Sequence, residues 1–196
     1  MRQLWYPVPE PGPAAAGIGW LRATVSRFSN GAVHARRRAA VEELLAGIDP
    51  AALREPYAGH PAGRLAGALG IAESAVPGVV ADVRVAAGAY QTGDTTADAA
   101  VDRLVAAFGG TYDERTAAYV AVLVQACDAT AALIERARAR PVQEVLRDDP
   151  PVVATRRVAP DGEVIAVPLK DAPFGSGPRA CPGREHALAL VEGALR

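Results

Sequence analysis

Cys181 is the residue whose setting most suggests chemistry. It lies in the run Pro173-Phe174-Gly175-Ser176-Gly177-Pro178-Arg179-Ala180-Cys181-Pro182-Gly183-Arg184, with a cation two residues before it and Pro-Gly directly after. An amphipathic pattern follows through His186, Ala187, Leu188, Ala189, Leu190, Val191, Ala194 and Leu195. The spacing predicts a rigid loop that delivers a thiol to the N-terminal end of a helix. The helix dipole and free backbone amides at such a place favour a thiolate. A thiolate held this way is a nucleophile or a metal ligand. Zinc is disfavoured, because no second Cys or His stands at ligand spacing and Cys127 lies in an apolar segment.

Three other spacings carry polar groups to one place. Glu144 and Arg147 are three apart in Glu144-Val145-Leu146-Arg147, so on a helix they share a face and can pair. His34 and Arg38 are four apart and also share a face, beside Arg36 and Arg37, which suit a solvated basic surface. Gln125-Ala126-Cys127-Asp128-Ala129-Thr130 puts an acid and an alcohol inside an apolar stretch, where either a polar pair in a helix interface or a proton relay would fit. Cys127 itself reads as a small core residue.

The elements that must position these groups are mostly helices. The chain has 196 residues, half of them apolar, with few aromatics and a net charge of −1, which argues against a general nucleic-acid binder. Two distant cysteines make no disulfide framework, and no signal-peptide h-region or uninterrupted membrane-spanning apolar stretch is evident. These features lead us to expect a cytoplasmic protein. Residues 1–19 read as a Pro/Gly-rich leader with little structure of its own, and residues 20–196 as a single domain. Helices are expected from Trp20, from Gly31 to Leu45, in a short piece capped by Asp49, in a short piece ending at Gly70, from Pro77 to Ala89, and from about Asp94 or Thr96 to Phe108. The longest is expected from about Asp113 to Arg140, apolar enough to be a buried central strut, and another starts after Pro141. Val152 to Val158 and Val164 to Leu169, around Pro160-Asp161-Gly162, signal a β-hairpin.

Taken together, Phe174-x-x-Gly177-x-Arg179-x-Cys181-x-Gly183, Glu144-x-x-Arg147 with the segment after it, and His34-x-x-x-Arg38 resemble the cytochrome P-450 (haem-thiolate) superfamily, of the bacterial soluble type but strongly shortened. Only Lys170-Asp171-Ala172 stands between the hairpin and the cysteine loop, where family members carry an extended segment. The resemblance implies a mainly α fold: a truncated P-450-like helical domain with a long central helix and one small hairpin before the cysteine loop. It implies haem b (iron protoporphyrin IX) with Cys181 as axial ligand. Phe174 would pack on the proximal side, and Gly175, Gly177 and Gly183 would let loop amides approach the sulfur. His34, Arg38, Arg157 and Arg179 would bind the propionates, and Val152 and Val153 would line a distal pocket. In the long helix, Ala126 and Thr130 match the family's dioxygen-groove motif. Cys127 replaces its glycine, and Asp128 stands one residue early as the acid beside Thr130.

The activity so implied is monooxygenation or peroxygenation of a small organic substrate, with electrons from a ferredoxin-type donor or with peroxide directly. The alternative is a non-catalytic P-450-like haem-binding or helper protein that meets a partner protein in a biosynthetic pathway. Neither reading involves nucleic acid or a membrane.

Overall fold

The computed structural model describes residues 2–196. The chain forms nine α-helices and one two-stranded antiparallel sheet among those residues, so the protein is mainly helical. A 3-10 turn at Arg2–Trp5 leads through an extended leader to α1 (Gly17–Thr24) and α2 (Gly31–Ala46). The short helices α3 (Pro50–Leu53) and α4 (Pro61–Ala68) precede α5 (Val76–Ala89) and α6 (Asp98–Ala107). Next come α7 (Glu114–Ala137), α8 (Val142–Asp148), the strands β1 (Ala154–Val158) and β2 (Val164–Pro168), and α9 (Arg184–Ala194).

The long helix α7 is the strut. Asp113 caps it by accepting the Thr116 amide at 2.7 Å. Ala117, Val120, Leu123, Val124 and Cys127 enter the main core, joined by Val41 and Leu45 of α2, Val83 of α5, Leu104 of α6 and Leu190 of α9. By length and composition α7 is a segment that could cross a membrane, which corrects the expectation that no apolar stretch is long enough. It is mostly buried among its neighbours, as a core helix is. A second cluster joins Leu133 and Ile134 of α7 to Val145 and Leu146 of α8 and Val191 of α9.

The helix starts depart from expectation at both ends of the leader. α1 begins at Gly17 rather than Trp20, because a distant helix supplies its cap. The Gly17 and Ile18 amides donate to Asp102 (3.1 Å) and Asp98 (2.9 Å) of α6. Gly17 has a φ of 62°, and a Cβ there would fall onto the Asp98 carboxylate. The leader is likewise not free. Val8 exchanges two hydrogen bonds of 2.9 Å with the Asn30 side chain, and Val158 donates its amide to Pro7 O at 2.8 Å. Leu4 is buried with Val167 and Leu169, so the leader is a strap across the hairpin.

In that hairpin Arg157 faces Ile165 and Val158 faces Val164. Thr155 and Arg157 point inward while Arg156 is exposed, the two-residue alternation of a strand.

Candidate functional site

The cysteine loop runs from Pro173 to Gly183 and is tied mainly by its own backbone. The Cys181 amide donates to Phe174 O at 2.7 Å, the Gly175 amide to Ala172 O at 2.7 Å, and the Ala180 amide to Gly177 O at 3.0 Å. Gly175 (φ 71°) and Gly177 (φ 63°) sit in the left-handed region that this tight path needs. A Cβ at Gly177 would meet the Trp5 ring at 2.7 Å, so the leader also closes over the loop.

Phe174 anchors the loop into the second core cluster, under the Arg184 guanidinium at 5.4 Å. His186 donates through Nε2 to Leu45 O (3.0 Å) and Ile48 O (3.1 Å), tying α9 to the C-terminal end of α2. Sequence spacing gave no sign of that role. Gly183 sits over Leu45, whose methyl groups would touch a Cβ there at 3.7 Å.

Two cations hold the loop against the start of α2. Arg179 Nη2 donates to Ser29 O at 2.6 Å and Asn30 Oδ1 at 2.7 Å. Arg38 Nη1 donates to Ala180 O at 2.6 Å, while its Nε pairs with Glu42 at 2.7 Å. Cys181, Arg179, Arg38 and His34 are thereby neighbours, though about 140 residues separate the two segments in the chain.

Their fields overlap. Burial, then the Arg179 and Arg38 charges, hold the His34 imidazole below its ordinary value, against the pull of Glu42. Arg157 is only 3% exposed and donates to Leu4 O (3.1 Å) and Thr155 Oγ1 (2.8 Å). Burial and the charges of Arg27 and Arg179 push it down to about 10. Arg38, Arg157 and Arg179 thus form one cationic neighbourhood beside His34, extended by Arg27.

Cys181 differs from its sequence expectation. Helix α9 starts three residues later, so the sulfur lies before the first turn and not on it. The residue reaches solvent, yet crowding around the sulfur pushes the thiol up, with the Gly183 amide and Arg38 pulling the other way. Among the described residues, no three His, Cys, Asp or Glu side chains converge as a metal site.

Other expected partners are not brought together. Arg147 turns to Asp148 (2.8 Å) instead of Glu144, since the adjacent carboxylate is nearer to hand at the exposed end of α8. Thr130 is buried and Asp128 exposed, because two positions on a helix are roughly 200° apart. Asp128 instead lies by Cys127, whose sulfur is 4.0 Å from His60 Nε2. Ala126 is half-buried against the core. Val152 and Val153 are exposed at 40% and 68%, facing solvent where a distal pocket wall was expected.

No protein-family model and no curated protein matches the chain. The chain has a mainly α-helical fold with a small antiparallel hairpin. That fold is similar to a chain in the crystal structure of P450BioI in complex with hexadec-9Z-enoic acid ligated acyl carrier protein. The match has a TM-score of 0.57 at 14% identity and covers 96% of this chain and 79% of that one. At that identity the likeness is one of fold.

Proposed function

We propose that the chain is a shortened cytochrome P-450-like protein that holds haem b through Cys181. One observation carries the reading: the cysteine loop docks on the start of α2 through Arg179 and Arg38, which sets Cys181 in the field of Arg38, while His34 and the buried Arg157 feel the charge of Arg179.

The donor set fits the group. A single soft sulfur that accepts the Gly183 amide suits a haem iron, and a cluster of cations suits two propionates. When bound, thiolate-ligated haem supplies dioxygen or peroxide activation. The chain's own share is to orient and compensate. Arg38 and the Gly183 amide stabilise negative charge on the sulfur. Arg38, Arg157 and Arg179 offset carboxylate charge, His34 offers a hydrogen bond, and Phe174 fixes the loop against α7, α8 and α9.

One observation favours the non-catalytic alternative: Thr130 and Asp128 do not meet, so the acid–alcohol pair that would move protons is not assembled. In that reading the chain is a haem-binding or helper protein. P450BioI was captured with an acyl-loaded carrier protein, so a carrier-borne acyl chain belongs among the substrates and partners to try.

The test is spectroscopic. The reduced protein treated with carbon monoxide should show the red-shifted Soret band of thiolate-ligated haem, and Cys181→Ala should lose it. Protein that takes up no haem on purification or reconstitution would sink the proposal. Oxidation of free or carrier-bound substrates, driven by peroxide or by a ferredoxin-type donor, would decide for the monooxygenase over the helper.

A further inference from the structure

A second concentration of positive charge adjoins the first at Arg27 and lies between the leader and the hairpin. A cavity of about 330 Å³ opens between the leader segment 8–12, the turn before α2, and the outer face of the hairpin. Its walls carry Arg22 and Arg27, from α1 and the turn after it, and Arg156 of β1, against a single carboxylate, Glu10. Glu10 is already occupied, since its Oε1 accepts the Asn30 amide at 3.0 Å.

The arginines are poorly satisfied by the protein. Among the described residues, the side chains of Arg27 and Arg156 make no hydrogen bond or ion pair. Arg22 reaches Thr92 O and Gln91 O only at 3.5 and 3.4 Å, and its buried Nε has no partner. Beneath them, Arg22 and Arg27 cover the Phe28 ring at 5.1 and 5.9 Å. Behind that ring lies Tyr90, 5.1 Å away, with a buried hydroxyl that also has no partner. The unpartnered buried Arg22 Nε, the half-buried Arg27 and the exposed Arg156 leave positive charge without acceptors on the cavity wall, an arrangement that favours occupation by an anion.

We propose that this cavity binds a small organic dianion, its charge on Arg22, Arg27 and Arg156 and its apolar part against Phe28 and the leader prolines. On the cavity wall three guanidinium charges face one carboxylate, leaving two to be neutralised, and the nearby Arg157 and Arg179 add to the same positive field, so the ligand is at least a dianion. The volume and the apolar wall set its size at a ring or short chain bearing a phosphate or two carboxylates. The site stands whether or not the protein holds haem, because none of the three arginines is a proposed propionate ligand.

Phenyl phosphate is the probe, titrated calorimetrically into the full chain, haem-free and haem-loaded, near pH 8, where it is essentially a dianion. Saturable one-to-one binding is expected in both forms, weaker at high salt. Inorganic phosphate, which lacks the ring, should bind more weakly, and phenol, which lacks the charge, should give no saturable heat. Arg27→Gln should weaken phenyl phosphate by about tenfold or more through the loss of a charge-assisted contact. Because Arg27 is partly buried, Arg156→Ala gives the cleaner test. It is exposed, should leave the thermal midpoint unchanged, and should weaken binding several-fold. Three results would each overturn the proposal: no saturable binding, equal affinity in wild type and Arg156→Ala, or loss of binding on haem loading.

Discussion

The two cysteines sit in opposite kinds of polar surroundings. Around Cys181 the partners come from far along the chain and meet, with Arg38 and Arg179 clamping the loop. Around Cys127 the acid and alcohol nearest in sequence, Asp128 and Thr130, diverge on α7, and the buried sulfur meets the distant His60 instead. Neighbours on one helix are separated by fixed rotation, whereas residues on different elements can be packed together. Proximity in sequence is therefore no guide to which polar groups cooperate here.

The widest predicted gap between the two regions is in thiol reactivity. Cys181 should react with a disulfide reagent in the folded, haem-free protein at mildly alkaline pH, since its thiol is accessible but pushed up. Cys127 is fully buried, and burial pushes its thiol up to about 12. It should react only through an opening of the core, slower by roughly a thousandfold if that opening costs about 4 kcal/mol. Mass mapping of the label against time gives both rates. Similar rates would mean that α7 is not the closed strut described above. Protection of Cys181 alone on haem loading would sharpen the contrast.

The second prediction concerns what holds the cysteine side together. Arg157→Met removes the buried donors to Leu4 O and Thr155 Oγ1 and should cost about 2–3 kcal/mol in urea unfolding. Arg156→Met, next along the strand but exposed, should change stability by less than about 0.5 kcal/mol. Equal effects would mean that the strap of leader over hairpin is not formed in solution. Asn30→Ala should fall between them, at about 1–2 kcal/mol, because it breaks both bonds to Val8 and one to Arg179.

These contacts also mark where sequence reading stops. Periodicity made α2, α5 and α7 legible, and Pro160-Asp161-Gly162 made the hairpin legible, because a repeating apolar face or a turn is written locally. The cysteine loop and its cations were legible as a pattern. Contacts between a side chain and distant backbone were not. Asp98 and Asp102 capping α1, His60 capping α4 through the Ala62 amide, and Arg157 holding Leu4 O leave no periodic trace. The turn of Arg147 to Asp148 could not be read either, since Glu144 and Asp148 were both within reach on spacing alone.

A smaller loss than that of Arg157 or Asn30 is predicted where α2 meets α7. Glu114, in the first turn of α7, accepts from Arg36 (2.7 and 2.9 Å) and Arg37 (2.8 Å) of α2. Those hydrogen bonds and charges outweigh desolvation and pull its carboxyl down to about 2, from an ordinary 4.5. A carboxylate whose folded value is depressed stabilises the fold fully above its unfolded value, and the benefit fades as pH falls from there toward the folded one. The window is therefore about 5 down to 2. The groups are substantially solvent-exposed, so screening should hold the contribution under about 1 kcal/mol. Urea midpoints taken through this window should fall less steeply in Glu114→Gln than in the wild type, and the two curves should converge at the acid end. Parallel curves would show that the α2–α7 junction rests on its apolar contacts alone.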